Sequence, residues 1–343
     1  MSRLARLAAT GLVLLVVATG LGGSARAEDH VMKIATVAPD NTPWSELLKK
    51  YKKAVEEKSG GRIKVKVFLG GTLGDENESV IKCKRGQIQA VGASTGAMAS
   101  QIPEVNVVEI PYLFRNFGEV DYVIDNVLTK PIEEIFPQYG LVFGFWSENG
   151  FRQLGTKDKQ AKKPADLKGK KMRSQESSIH LDMWKAFGAS PVPIPPTEVL
   201  TALQTGTVDG FDQAVLYAIA ASWYKSVKYF TVSNHIYQAA IIAFNKEWFE
   251  KLPPDLQKIL VDEGRTLQAK GRKAVRKIIP DLLAVLQGEN IQVYELTDAE
   301  KKVFEQASLP ARSSFRKTQG KKAVGLLDAV EKGLSDFRAG KVK

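Results

Sequence analysis

Short apolar runs and longer amphipathic stretches alternate along the first third of this chain. Met32 to Val37 (MKIATV) suits a buried strand, and Ile63 to Phe68 (IKVKVF) alternates apolar and polar, as does a strand with one wet face. Between them, after a loop at Pro39–Pro43, Trp44 to Lys58 places Leu47, Leu48, Tyr51, Ala54 and Val55 on one side of a helix that Gly60-Gly61 ends. A glycine-rich loop, Gly70 to Gly74, leads into a second helix over Glu76–Arg85, and Ile88 to Val91 begins another strand. The order β-α-β-α-β predicts a mostly parallel sheet with right-handed crossovers.

The pattern restarts beyond residue 140. Leu141–Trp146, Lys170–Arg173, Ile241–Asn245 and Ile291–Tyr294 read as strands, and about 178–187 and 197–205 as helices. Asp255 to Gln287 is one long helical pattern that Pro280 should kink, and two helical segments follow Asp298. Two α/β lobes are expected, with the chain passing between them more than once and a ligand cleft at the junction.

The first 27 residues change the setting. Arg3 and Arg6 precede an uncharged apolar run, Leu7 to Leu21, and Ala25-Arg26-Ala27 is an A-x-A cleavage signal, so residues 1–27 read as a signal peptide and the mature chain begins at Glu28. Export to the periplasm follows, and no later stretch is long and apolar enough to span a membrane. Cys83 is the only cysteine, so stability must come from an ordinary core, and the mature 316 residues (343 minus 27) suit two domains. Removing Arg3, Arg6 and Arg26 from 49 basic residues leaves 46 against 38 acids, a net +8. The lysines and arginines are scattered along helices with no nucleic-acid motif, so they read as solvated helix faces.

Candidate chemistry is sparse. Gly92-Ala93-Ser94-Thr95-Gly96 fits G-x-S-x-G, the hydrolase nucleophile elbow, but reads better as a small-residue loop placing the Ser94 and Thr95 hydroxyls at the cleft. His30, His180 and His235 have no metal-ligand spacing, so no metal is expected; His180 suits a cleft or a helix surface, and His235 a buried hydrogen-bonding role. Arg152 and Arg173 each stand at an expected strand mouth. Arg173 precedes a helix start, and an exposed-looking acid–amide pair, Asp212-Gln213, follows a glycine turn. A planar guanidinium fork beside a helix N-terminus is suited to a small carboxylate.

Several segments, in order, resemble one family. These are Gly71-Thr72-Leu73-Gly74-Asp75-Glu76, Pro103-Glu104 with Ile110-Pro111-Tyr112-Leu113-Phe114, Asn149-Gly150-Phe151-Arg152, Asp166 to Arg173 (DLKGKKMR), Gly188-Ala189-Ser190-Pro191 and Glu198 to Gly210. Over essentially the whole mature chain the sequence resembles the extracytoplasmic solute receptors of TRAP transporters. The resemblance implies an α/β, two-lobe, type II periplasmic-binding fold with a long lobe-spanning helix beginning near Asp255. The first lobe would hold residues 28–149 plus about 239–278, and the second 150–238 plus about 279–310; a helical segment, 311–343, would close the chain. It implies a monomeric receptor, without cofactor or catalysis, that passes a small organic acid, mono- or dicarboxylate, to a membrane permease driven by an ion gradient. By the same resemblance Arg173 pairs with the ligand carboxylate and Arg152 is cleft-associated. Where the family usually reads x-E-N-P, with the asparagine on the ligand, this chain has Phe211-Asp212-Gln213-Ala214, and Pro195-Pro196 alters a pocket wall. Three other readings use the same residues: an amino-acid receptor of an ATP-driven transporter, with Asp212 for the ammonium; a secreted hydrolase using Ser94; and a sensor subunit for a membrane kinase.

Overall fold

The computed structural model describes residues 30–342, so the expected signal peptide lies outside the described residues. In the first lobe the chain forms β1 (His30–Thr36), α1 (Pro43–Lys58), β2 (Ile63–Phe68), α2 (Glu76–Lys84), β3 (Ala90–Ser94) and the single turn α3 (Thr95–Met98). Helices α4 (Phe117–Val123) and α5 (Thr129–Ile135) lead to β4 (Leu141–Thr156). The second lobe adds β5 (Lys171–Ser174), α6 (Ser178–Ala186), β6 (Ser190–Pro193), α7 (Val199–Gln204), β7 (Gly210–Ala214) and α8 (Val215–Ala220). The chain ends through β8 (Tyr229–Asn245), α9 (Lys246–Lys251), α10 (Pro254–Gly288), β9 (Gln292–Glu295), α11 (Asp298–Thr318) and α12 (Lys321–Arg338).

One nine-stranded sheet, ordered β2-β1-β3-β8-β4-β7-β5-β6 with β9 also on β8, runs through both lobes. Its two ends are parallel, β2-β1-β3 and β7-β5-β6, as β-α-β units require. They are joined by β4 and β8, which run antiparallel to each other along their lengths. Short strands were expected at Leu141–Trp146 and Ile241–Asn245; they are the ends of strands of 16 and 17 residues. The expected strand stops at Trp146 because the SENGFRQ stretch that follows is polar on both alternating sets of positions and shows no apolar face. Here nearly all of β4 is buried, and those groups bond to neighbouring strands. Register shifts interrupt the β4–β8 pairing at three places, one between Glu148 and Gly150. Gly150 sits there at φ +98, a conformation that only glycine adopts at little cost.

Helix α10, 35 residues long, runs on through Pro280 to Gly288. It packs on α1 and β4 at its start and on α8 and β9 further along, so it straps the two lobes. Its closest approach is at Gly264, where an added Cβ would lie 2.0 Å from Phe145 Cδ1. Gly264→Ala should therefore cost about 1–3 kcal/mol, the usual penalty of overpacking a filled core. Urea unfolding reads this directly, and an unchanged midpoint would show that Phe145 can move aside. The C-terminal helix α12 lies on its own chain: Phe337 stacks on Tyr122 at 5.0 Å, and Arg338 pairs with Glu119 at 2.7 Å. Cys83 is fully buried, and burial pushes its thiol far above the usual range. Among the described residues no helix is long and apolar enough to cross a membrane.

Candidate functional site

The cleft between the lobes holds about 630 Å³ of empty space, open solvent at its mouth included. The first lobe contributes Thr36 and Val37 at the end of β1, Trp44 from α1, Glu76 from α2 and Ser94 from β3. The second contributes Arg173 from β5, Pro196, Gln213 from β7 and Tyr217 from α8; Ser147, Asn149 and Gln238 come from the crossing strands. Strand ends and helix starts meet here because that is where side chains of open α/β sheets converge.

Arg173 is 1% exposed. Its Nε donates to the Ile194 carbonyl at 2.9 Å, and its guanidinium carbon lies 5.1 Å from the Trp223 ring. Nη1 and Nη2 have no partner. Among the described residues no carboxylate lies within salt-bridge distance of it. Burial lowers the guanidinium to about 10, the like charge of Arg152 adds to the effect, and Asp212 and Glu76 offset part of it. A fork of free donors, buried and without a contacting counter-ion, is costly unless an anion comes to it.

Arg152 does not stand at a strand mouth and does not line the cleft; it is central in β4 and wholly buried. Its Nε donates to Asp212 Oδ2 at 2.5 Å, Nη2 to the Asp212 carbonyl at 2.6 Å, and Nη1 to Gln238 Oε1 at 2.8 Å and Gln213 Oε1 at 3.1 Å. Its guanidinium is thus spent on protein acceptors. Asp212 is likewise buried rather than exposed. Burial alone would push its carboxyl up; Arg152, then His180 and His235, outweigh that and hold it well below the usual range. Asp212 is not among the cleft-lining residues, so it does not face a ligand ammonium there as the amino-acid reading required. His180 lies between Glu109, which its Nε2 contacts, and Asp212 at 3.7 Å. Burial would lower the imidazole, but the two carboxylates raise it. His235 is buried, with Nδ1 2.7 Å from Ser233 Oγ, and burial lowers it.

Gln213 lines the cleft, and its orientation is set from behind. Its Oε1 accepts from Arg152 and from the Ala214 amide at 2.8 Å, so the amide nitrogen is what remains to face the cavity. Ser94 also lines it, but its hydroxyl donates to Glu76 Oε2 at 3.0 Å and accepts from Gln175 Nε2 at 2.7 Å. No histidine contacts it, so the arrangement of a hydrolase nucleophile is not present. Thr95 is turned away: its hydroxyl lies against Glu109 and the Ala239 carbonyl, outside the cleft lining. Sequence reasoning missed Glu76, Gln175 and Gln238. Glu76 opens a helix after a glycine-rich loop, and Gln238 interrupts an apolar strand (YQAAIIAF), and both are usable signals. Gln175 carries none, because only the fold brings it to Ser94.

Fold and site define a two-lobe solute receptor with a buried arginine, its terminal nitrogens unpartnered, in the wall of its cleft. The model of bacterial extracellular solute-binding proteins, family 7 (DctP), matches residues 34–318, and the chain belongs to that family. A solute-binding protein of Verminephrobacter eiseniae is 33% identical over 87% of this chain and 88% of its own length. The 2,3-diketo-L-gulonate-binding periplasmic protein YiaO of Escherichia coli is 28% identical over 76% of this chain and 78% of its own. Among solved structures, the sugar-acid-binding protein DctPAm of Advenella mimigardefordensis with galactonate superposes with TM-score 0.84 at 30% identity, covering 89% of this chain and 99% of that one. The family is one of receptors, so this chain binds a solute and is not an enzyme.

Proposed function

We propose that this chain captures a small hydroxylated carboxylate in the periplasm and delivers it to a TRAP-type membrane permease for uptake driven by an ion gradient. The observation that carries the reading is Arg173, buried with both terminal nitrogens unpartnered at the cavity wall. A carboxylate there would take the guanidinium fork, and the free amide nitrogen of Gln213 would add a donor. Thr36, Ser147, Asn149 and Tyr217 also line the cavity and have hydrogen-bonding capacity to spare for ligand hydroxyls. The named ligands of the relatives, galactonate and 2,3-diketo-L-gulonate, are acids of this kind. Arg152 acts behind the wall, positioning Gln213.

We place the lobe boundaries near Asn149 and Gln238, where the β4–β8 register shifts, with residues 1–27 removed on export. Packing of α12 on its own chain supports a monomer.

The test is a thermal-shift screen of refolded residues 28–343 against aldonates, keto acids, dicarboxylates, aromatic acids and amino acids. A ligand at a hundred times its dissociation constant adds about 2.7 kcal/mol, an easily visible shift. A response to hydroxy acids is expected. A response confined to amino acids or neutral sugars would overturn the reading.

A further inference from the structure

The cavity wall carries one basic and one acidic side chain. Arg173 is its only basic lining residue among those described, and Glu76 its only acidic one. Glu76 is 9% exposed, and its two oxygens accept from the Ser94 amide at 2.8 Å and the Ser94 hydroxyl at 3.0 Å. Both oxygens are thereby held as acceptors, each with a lone pair left over. Glu76 and Arg173 also share the small recess beside Gln175 and Pro196, which Glu176 lines as well, so a ligand on Arg173 lies within the field of Glu76, with Glu176 outside the main cavity wall.

A monocarboxylate on Arg173 brings the guanidinium its missing counter-charge. A second carboxylate on the same ligand finds no second cation. Around it stand Glu76, the apolar wall of Val37, Trp44 and Ile242, and neutral polar groups such as Thr36, Ser147 and Asn149, none of which supplies a counter-charge. A hydroxyl in its place donates to the waiting acceptor. Like charges facing each other in a site that excludes water cost several kcal/mol, and such repulsion is how sites reject close analogues.

We propose that Glu76 sets the specificity of this cavity, accepting a ligand hydroxyl and turning away a second carboxylate, so that hydroxylated monocarboxylates are selected over dicarboxylates. This rests on the carboxylate-receptor reading above.

Matched pairs of acids test it. Galactonate and galactarate differ only in a terminal hydroxymethyl against a carboxylate, and erythronate and meso-tartrate differ in the same way at four carbons. Calorimetric titration of refolded protein at about pH 8, well above the ordinary carboxylate range because burial raises the Glu76 carboxyl, should show wild type preferring the aldonate of at least one pair by about 100-fold or more. Glu76→Gln should shrink that ratio about 10-fold or more, with the aldarate binding more tightly than to wild type. Glu76→Asp, which keeps the charge, should preserve the preference and serves if Glu76→Gln does not fold. Equal wild-type affinity for both members of the pairs, or a ratio unmoved in Glu76→Gln, overturns the role of Glu76 and leaves the carboxylate reading standing. Failure of every acid in the wider panel, aldonates included, overturns both.

Discussion

Arg173→Met is expected to weaken acid binding severely while leaving the empty protein as stable as wild type, or more so. The two effects have one cause. In the empty cleft the guanidinium is buried, bonded only through Nε, and close enough to Arg152 for the two charges to oppose each other. Removing a buried charge that lacks a contacting partner relieves a desolvation cost, and methionine fills much of the same volume. Binding loses the only basic group in the cavity wall among the described residues, and deleting one partner of a buried, hydrogen-bonded charge pair costs about 2–5 kcal/mol. That is roughly 30-fold to several thousand-fold in affinity. Arg173→Lys should recover little, since a point charge does not reproduce the fork. Titration calorimetry and urea unfolding of ligand-free protein read the two sides. Wild-type affinity in Arg173→Met would remove the anchor role, and a large loss of stability would show that the guanidinium supports the fold.

Asp212→Ala should have the opposite profile, a loss of about 3–5 kcal/mol of stability, as when one member of a buried pair is removed. The substitution leaves Arg152 and His180 without the carboxylate between them. Gln213, which Arg152 orients, loses its fixed direction, so weaker binding should accompany the lower urea midpoint. The same network sets an acid limit. Burial would raise the Glu109 carboxyl, but the His180 bond, then Thr95 and Arg152, hold it low, and Asp212 is held lower still. Their contribution is complete above the unfolded carboxylate values, about pH 4, and is lost as pH falls through the lower native ones. His180, raised in the native state, contributes below about pH 6.5, and this part is lost as pH rises through its native value. Asp212→Asn should therefore show a flatter acid limb than wild type in unfolding measured against pH; an identical limb would place the dependence elsewhere.

The contrast between these arginines marks how far the sequence could be read. The place of Arg173 in the cleft wall was legible because a strand end, a helix start and a guanidinium fall together in a short segment. The β-α units were legible because period-two and period-3.6 patterns alternate cleanly there. Arg152 was misplaced because its surroundings, polar and containing Asn149-Gly150, look like a turn. What makes them a strand is β7 on one side and β8 on the other, some 60 to 90 residues away along the chain. Asp212 looked exposed for the same reason, since no local pattern announces an arginine on the adjacent strand. Glu76 stood in plain view within a family segment, but its place in the cleft depends on the meeting of α2 and β3.

The threading of β4 and β8 through both lobes also constrains the order in which the molecule can be completed. The first lobe's three parallel strands are synthesised early, yet β3 takes its second neighbour from β8, pairing Ala90 with Phe244, 154 positions later (244 minus 90). Until that segment arrives, β3 is an open edge of entirely buried-type residues, the kind of edge that recruits other chains. Pairings so distant along the chain also form slowly. A chain leaving the ribosome or a translocation channel from its N-terminus must therefore stay unassembled, or be held so, until nearly three-quarters of it has emerged.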